Sequence, residues 1–247
     1  MTEDKKQQLI EQEEINDGQE SDLMAMKKAG LQFGHKKTYN HPQAGYFTVK
    51  SSTELSLIDL NETIKGLESA LNFIKEVVEN KGTILFVGTV GGAKEGIQNI
   101  CQKYGLPYVT NRWLGGTLTN FQTLNERIKY LEELEEKKKT GDWNKYTKQE
   151  QRKMEEEMLK LEEKFIGLKQ MSCLPDALFI IDPKTHDTAV KEAKKKGIPI
   201  ISVLDTDDDP TEIDYSIPAN DSAKSSIQYI LNKIDQVLDQ TINNKKQ

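Results

Sequence analysis

The chain has 247 residues, enough for one large domain or two small ones with a sizeable core. Its two cysteines, Cys101 and Cys173, exclude a disulfide framework and lack the spacing of a structural zinc site. The net charge of −6 comes from residues 1–22, which hold eight acids and two lysines, so the remainder is neutral overall. With no apolar run of about 18 residues and no secretory signal, we expect a soluble protein of the bacterial cytoplasm.

The N-terminal segment, residues 1–22, is polar and almost free of aromatic and branched apolar residues. Such a segment cannot bury enough surface to offset the entropy of ordering, so we predict a disordered acidic tail.

The next segment, residues 23–50, contains five lysines, two histidines and no acid. Cations that can neutralise phosphates alternate there with rings that can stack on bases, which suits nucleic-acid binding. For this segment taken alone, a merely solvated patch of lysines is a strong rival interpretation. The candidate RNA-binding residues in this segment are Lys27, Lys28, His35, Lys36, Lys37 and His41.

Beyond the lysine-rich segment, apolar runs alternate with helical patterns. Gly105 and Gly197 occupy positions typical of helix C-terminal glycines. This alternation predicts a mostly parallel sheet covered by helices on both faces. The apolar runs are LSLIDL (55–60), TILFVGT (83–89), PYVT (107–110), ALFIID (177–182) and IPIISVLD (198–205).

The loop from Gly88 to Gly92 joins a strand to a helix, as phosphate-binding loops do. It has neither the G-x-G-x-x-G spacing nor the Lys-Ser or Lys-Thr of a nucleotide-triphosphate loop. A tight turn without a ligand is therefore favoured, and a nucleotide-binding or Mg-binding enzyme remains the alternative.

The stretch NRWLGGTLTN, residues 111–120, places Arg112 beside Trp113 and a double glycine before two threonines. Arg112 is a candidate phosphate contact, whereas Trp113 suits either base stacking or packing. Thr117 or Thr119 is predicted to cap the following helix.

Residues 121–168 show two apolar seams with coiled-coil spacing, separated by a polar turn. Gly141 is placed to end the first helix, and Thr147 with Glu150 forms a capping box for the second. We predict an antiparallel helical hairpin that either presents a solvated face or docks on a partner. The seams are Phe121, Leu124, Ile128 and Leu131, then Met154, Met158, Leu161, Phe165 and Leu168.

The acidic stretch DTDDDPTEID follows the last long apolar run. The carboxylates from Asp205 to Asp209 can hold a divalent cation, but Asp-Pro is also an ordinary turn signal, and we favour the turn. Because neither cysteine has an activating basic neighbour and no serine lies in an elbow motif, we expect no catalytic residues, no metal site and no cofactor.

Several long motifs, taken together and in order, resemble the family of the universal second protein of the small ribosomal subunit in its bacterial form. They extend from Leu23 to about Ile234, and NRWLGGTLTNF matches most distinctively. The others are AGLQFGHKK, SLIDLNET, ILFVGT, LPDALFIIDP, EAKKKGIPIISVLDT and DPTEIDYSIPAND.

The resemblance implies a non-catalytic ribosomal protein with a flavodoxin-like three-layer parallel sheet and an inserted, protruding coiled-coil hairpin. It implies binding to small-subunit rRNA near the head-body junction and support for docking of the mRNA-binding ribosomal protein one. Where relatives commonly carry basic residues, this chain has Gln43, Val90 and Gly91. Either the RNA contacts shift toward Lys36, Lys37 and Lys94, or RNA binding is weaker than in those relatives.

The expected organisation has four parts. An acidic tail (1–22) precedes a discontinuous α/β domain (23–120 and 169–236), which is interrupted by the hairpin (121–168) and followed by a flexible tail (237–247). Besides the ribosomal function and the enzyme alternative, the hairpin could be a protein-docking arm outside the ribosome, because fold and function do not map one to one.

Overall fold

The computed structural model describes residues 21–244. Residues 21–29 are helical and form α1, so the tail predicted for residues 1–22 lies outside the described residues except for its last two. One of these, Asp22, accepts a hydrogen bond from Lys233 Nζ at 2.9 Å. The ordered domain therefore begins slightly earlier than predicted.

Five parallel strands form the central sheet, in the order β5-β4-β6-β7-β8. Numbered by appearance within this sheet, the order is 2-1-3-4-5, which is the flavodoxin-like order. The sequence prediction of a parallel, flavodoxin-like sheet is confirmed. The strands are β4 (Ile84–Val87), β5 (Tyr108–Val109), β6 (Ala177–Ile181), β7 (Ile200–Leu204) and β8 (Tyr215–Pro218).

Helices cover both faces of this sheet because its inner strands are apolar at successive positions. In β4, Phe86 belongs to the core on one face and Leu85 to the core on the other, and both are fully buried. One face carries α2 (Leu60–Glu79), α3 (Gly91–Tyr104) and α7 (Lys224–Asn244), whereas the other carries α4 (Phe121–Lys139), α5 (Lys148–Phe165) and α6 (Asp187–Lys196).

A second, antiparallel sheet has the order β1-β3-β2 and was not predicted. The run LSLIDL forms its central strand, although we expected that run in the parallel sheet. Burial explains the difference, since Ser56 and Ile58 are buried while Leu55 is exposed, which suits a half-covered antiparallel strand. Its strands are β1 (Phe33–Lys36), β2 (Thr48–Val49) and β3 (Leu55–Ile58).

The helix ends follow several of the predicted signals. Gly105 and Gly197 end α3 and α6 in the left-handed conformation, and Thr147 forms the expected capping box at the start of α5. The predicted cap of α4 is wrong. The N-cap residue of α4 is Asn120, and its side chain makes no capping hydrogen bond. The hydroxyls of Thr117 and Thr119 do not cap the helix because they donate to the Leu114 carbonyl and to Glu192, respectively.

Helices α4 and α5 follow one another across the turn at residues 140–147 and contact each other. Lys138 near the end of α4 pairs with Glu155 in α5, with Nζ 2.7 Å from Oε1. The buried seam residues, including Leu131 and Met158, belong to the same apolar cluster as the adjacent face of the sheet. Coiled-coil packing between the two helices stays a prediction.

Helix α7 continues to Asn244, and Leu238 within it is fully buried. The boundary predicted at residue 236 therefore lies inside this helix, because the apolar spacing of its buried face extends past that point. None of the helices formed by residues 21–244 has an apolar stretch sufficient to cross a membrane.

Gly66 allows α2 to approach β8 closely, and replacing it should destabilise the fold. A Cβ at this position would lie 2.3 Å from the Ser216 carbonyl oxygen. Although alanine favours helices, we expect Gly66→Ala to lower the free energy of unfolding by about 1–3 kcal/mol. Gly91→Ala, where a Cβ meets nothing within 4 Å, should change it by about 1 kcal/mol or less. Urea unfolding of both variants tests this; equal effects would contradict it.

Candidate nucleic-acid interface

The predicted RNA-binding residues gather around one edge of the parallel sheet. We call it the carboxyl edge, meaning the segments that directly follow β4 to β8: residues 88–92, 110–113, 182–186, 205–209 and 219–223. In flavodoxin-like sheets, ligands bind at this edge. Lys94 and Arg112 follow β4 and β5. The lysine-rich segment reaches the opposite end of this edge, since the backbone N–H of His41 donates to Thr206 O at 2.8 Å.

Apolar anchors hold the lysine-rich segment against the domain. Met26 and Leu31 are buried in the core, and the Leu31 carbonyl accepts a hydrogen bond from the backbone N–H of Asn220 at 3.1 Å. Gly34 lets β1 lie over the end of β7, because a Cβ there would be 2.6 Å from Thr206 Cγ2. The lysines between and beside these anchors are thereby carried at the carboxyl edge.

Five candidate cationic side chains at this edge are uncompensated, meaning that no acidic group among the described residues pairs with their positive charge. None of them takes part in an ion pair within the part of the chain that the structure describes. Four of the five side chains are exposed and the fifth, that of Lys94, is half-buried. They are therefore available to phosphate oxygens. The five are Lys27, Lys28, Lys36, Lys94 and Arg112.

Lys37 and the two histidines are more constrained than the sequence indicates. Lys37 Nζ donates to the Ser51 carbonyl, and His41 Nδ1 accepts from the Gln43 backbone N–H at 3.3 Å. His35 Nδ1 lies 3.2 Å from the carboxylates of both Asp205 and Asp207. The lysine-rich segment thus contains no acidic residue, but acidic residues from another part of the chain lie beside it in the fold. His35 is therefore not a free phosphate contact.

Trp113 is unsuited to base stacking because it is only 9% exposed. Its indole Nε1–H donates to Glu192 Oε1 at 3.2 Å. Of the two roles open to Trp113 from the sequence, the structure favours packing. Arg112, its neighbour, remains exposed.

Glu192 organises the loop at residues 111–120, and sequence reasoning missed it. Its Oε1 accepts from the Gly116 backbone N–H at 2.7 Å, besides the indole of Trp113. Its Oε2 accepts from the Leu118 and Thr119 backbone N–H groups at 3.0 Å each, and from the Thr119 hydroxyl. The sequence feature that could have indicated this role is an acidic residue on the face of α6 that also carries the buried Ala189 and Ala193.

The pKa of Glu192 lies below its ordinary value although the side chain is buried. Burial alone would raise this pKa, but the N–H donors of Thr119, Gly116, Trp113 and Leu118 outweigh burial and lower it. The carboxylate is therefore held ionised by the loop that it fixes, and Arg112 is carried on an ordered support.

Two glycines of the loop at residues 88–92, Gly88 and Gly92, serve packing. A Cβ on Gly88 would lie 2.6 Å from Ile97 Cδ1, and one on Gly92 would lie 3.0 Å from Lys224 Cα. These close approaches bring α3 against β4 and the start of α7. The loop is thus explained as a tight strand-to-helix turn, which the sequence favoured over a phosphate cradle.

A cavity of about 360 Å³ opens where the strand order of the sheet reverses, between the ends of β4 and β6. Hydroxyl, amide and guanidinium groups line it, and all of these can donate hydrogen bonds to phosphate oxygens. The polar side chains include Thr89, Asn111, Arg112, Thr185 and Thr188.

Two carboxylates of the predicted acidic stretch build its turn. Asp208 accepts from the backbone N–H groups of Asp205 at 2.7 Å and Lys184 at 3.2 Å. Asp209 accepts from the Thr211 backbone N–H at 2.9 Å and caps a short 3-10 helix, as the turn interpretation expects. Asp205 and Asp207 face His35 instead.

Comparison with known proteins gives one consistent family. The family model described as Ribosomal protein S2 matches residues 26–241. A small ribosomal subunit protein uS2 from Marinobacter nauticus is 44% identical over 201 residues, 81% of this chain and 80% of that protein. A protein of the same name from Roseiflexus sp. is 44% identical over 212 residues, 86% of this chain and 81% of that protein. The chain therefore belongs to the ribosomal protein S2 family.

Proposed function

We propose that this chain is a structural protein of the small ribosomal subunit and binds small-subunit rRNA through the carboxyl edge of its sheet. As a member of the ribosomal protein S2 family it is a ribosomal protein and not an enzyme. The nucleotide-binding alternative has lost its main support, because Gly88 and Gly92 are explained by packing.

The observation that carries RNA binding is the row of uncompensated cations at the carboxyl edge. A free lysine or arginine can exchange solvent counterions for RNA phosphates, whereas a paired one must first give up its partner. Ordered elements hold these side chains: α1 carries Lys27 and Lys28, β1 carries Lys36, α3 carries Lys94, and the loop fixed by Glu192 carries Arg112. Phosphate contacts from fixed elements set position and orientation on RNA.

A finer part of the proposal concerns location and partners. The motif resemblance supports a place near the head-body junction and a role in docking the mRNA-binding ribosomal protein one. If this is right, small subunits assembled without the chain should also carry less of protein one, while other small-subunit proteins remain near their usual amounts. Quantitative mass spectrometry of purified subunits measures both.

Sedimentation tests the ribosomal assignment itself. In lysates at low salt, the native protein should migrate with small subunits and move to the top of the gradient as salt is raised, because its RNA contacts are ionic. If it stayed at the top at low salt while small subunits from the same lysate were complete without it, the proposed function would be lost.

A further inference from the structure

Helix α1 lies antiparallel to α7 and fixes the point where the acidic N-terminal segment joins the domain. Near the end of α1, the Ala29 carbonyl accepts a hydrogen bond from the Ser225 hydroxyl at 2.7 Å. Near its start, Lys233 Nζ donates to the two carboxylate oxygens of Asp22 at 2.9 and 3.0 Å. Ser225 and Lys233 are about 12 Å apart along α7 at the usual helical rise. The acidic segment therefore joins the domain little more than two helical turns from the carboxyl edge.

Three of the uncompensated cations surround the start of α7. Lys27 and Lys28 are exposed in the last turn of α1, whose end contacts Ser225. Lys94 is in the first turn of α3, where a Cβ on Gly92 would lie 3.0 Å from the α-carbon of Lys224 at the start of α7. We call Lys27, Lys28 and Lys94 the α1–α3 lysine cluster. Within residues 21–244, no ion pair neutralises its members.

The segment that directly precedes α1 has the opposite charge. Residues 11–20, with the sequence EQEEINDGQE, contain five acids and neither lysine nor arginine. Its carboxylates are therefore not neutralised by basic side chains of the same segment. The excess negative charge of this segment complements the excess positive charge of the α1–α3 lysine cluster.

The covalent connection makes contact between the two groups an intramolecular event. A stretch of ten residues can span up to about 33–36 Å, whereas Lys27 is only about 9 Å along the helix axis from the first residue of α1. Every acid of residues 11–20 can thus reach the cluster. A short connection of this kind corresponds to an effective concentration in the millimolar range, which favours even weak pairing.

We propose that residues 11–20 bind to the α1–α3 lysine cluster of the same chain and compete there with RNA. This inference rests on the proposed function, because the same lysines are among its rRNA contacts. Exposed ion pairs are individually weak, so the segment can be displaced by RNA, whose closely spaced phosphates release many counterions on binding. The segment would therefore lower binding to weakly held polyanions more than binding to rRNA that contacts the whole carboxyl edge.

Cross-linking of the full-length chain without RNA tests the contact itself. A carbodiimide joins carboxylates to amines that touch, and mass spectrometry of the monomeric product identifies the pairs. At low salt, the acids of residues 11–20 should couple to the α1–α3 lysine cluster and not to Lys81, Lys195 or Lys196 at the opposite edge. These cross-links should disappear at about 1 M salt, where the Debye length is about 3 Å, and when small-subunit rRNA is added.

The rRNA affinity of a neutralised variant tests the competition. Changing the five acids of residues 11–20 to their amides should tighten binding to small-subunit rRNA by roughly three- to tenfold at low salt, which corresponds to the loss of two or three exposed ion pairs. The difference should shrink as salt is raised. The substitutions are Glu11→Gln, Glu13→Gln, Glu14→Gln, Asp17→Asn and Glu20→Gln.

A matched control removes five exposed acids from the helices α4 and α5, which cover the opposite face of the sheet. It changes the net charge equally but should tighten rRNA binding less than about twofold, because distant exposed charges are screened. Circular dichroism checks that both variants fold. The control substitutions are Glu126→Gln, Glu132→Gln, Glu133→Gln, Glu136→Gln and Glu157→Gln.

Two results would overturn the inference. One is that the acids of residues 11–20 couple to no lysine of the α1–α3 lysine cluster, or couple equally to the opposite-edge lysines. The other is that both neutralised variants bind rRNA with the same affinity as each other. If the full-length chain and both variants all fail to bind rRNA, the proposed function fails, and the cross-links alone then decide whether the acidic segment binds the cluster.

Discussion

Replacing Glu192 by glutamine is expected to lower the free energy of unfolding by on the order of 3–5 kcal/mol. Glu192 Oε2 accepts from two backbone N–H groups and the Thr119 hydroxyl, and Oε1 accepts from the Gly116 N–H and the Trp113 indole. A carboxamide keeps only one oxygen, and its NH₂ group would face donors. Buried N–H groups would then lose their acceptor on the 111–120 loop.

Asp187→Asn is the control for this prediction. Asp187 is on the same helix, and its exposed carboxylate pairs with Lys191 at 2.7 Å. Removing this charge should cost about 1 kcal/mol or less, because exposed ion pairs and helix-end charges are individually weak. Chemical unfolding of both variants makes the comparison. Similar losses from Glu192→Gln and Asp187→Asn would show that the buried contacts of Glu192 do not fasten the loop.

The effect of Glu192→Gln should also depend on pH in a defined direction. The folded state lowers the pKa of Glu192, so its carboxylate contributes stability above the unfolded-state pKa of about 4.3. This contribution is lost as pH falls through the folded-state pKa, which lies lower. The stability difference between the parent chain and Glu192→Gln should therefore be largest near neutral pH and shrink below about pH 4. A constant difference across this range would contradict the ionised-acceptor role.

The sheet could be predicted from sequence because its signals are local. Strands buried on both faces appear as uninterrupted apolar runs, and Gly105 and Gly197 mark the helix ends that precede the next strands. The capping box of Thr147 and Glu150 is similarly confined to four residues. For each of these features, the residues that specify the local structure and the structure that they form lie within a few positions of one another in the chain.

Two unpredicted features depend on partners that are distant in sequence. His35 meets Asp205 across 170 positions, and Glu192 meets the loop that begins at Asn111 across more than 70. Counting charges along residues 23–50 therefore made His35 look like a free cation, although the end of β7 brings two carboxylates to it. The small antiparallel sheet was missed for a different reason, because β1 and β2 have only four and two residues, too few to show the alternation of a strand.

Neutralising three lysines at the carboxyl edge should weaken rRNA binding and reduce its dependence on salt. We expect the variant with Lys27→Gln, Lys36→Gln and Lys94→Gln to lose about 0.7–0.9 units of slope in log K against log salt for each phosphate contact removed. Three contacts would lower the slope by roughly 2–3 units. Filter binding or fluorescence anisotropy with small-subunit rRNA between low and physiological salt measures both quantities.

A triple variant that removes the same charge at the opposite edge of the parallel sheet distinguishes direct phosphate contact from an effect of the protein's net charge. Lys81 precedes β4, and Lys195 and Lys196 end α6 just before β7, so all three lie toward the amino ends of the strands. Changing these to glutamine removes the same three charges but should leave the slope nearly unchanged, since phosphate neutralisation requires close approach. If both triple variants lost the same slope, attraction by overall charge would explain binding and the carboxyl edge would not be the interface. A loss confined to Lys27, Lys36 and Lys94 would assign the rRNA contacts to this edge.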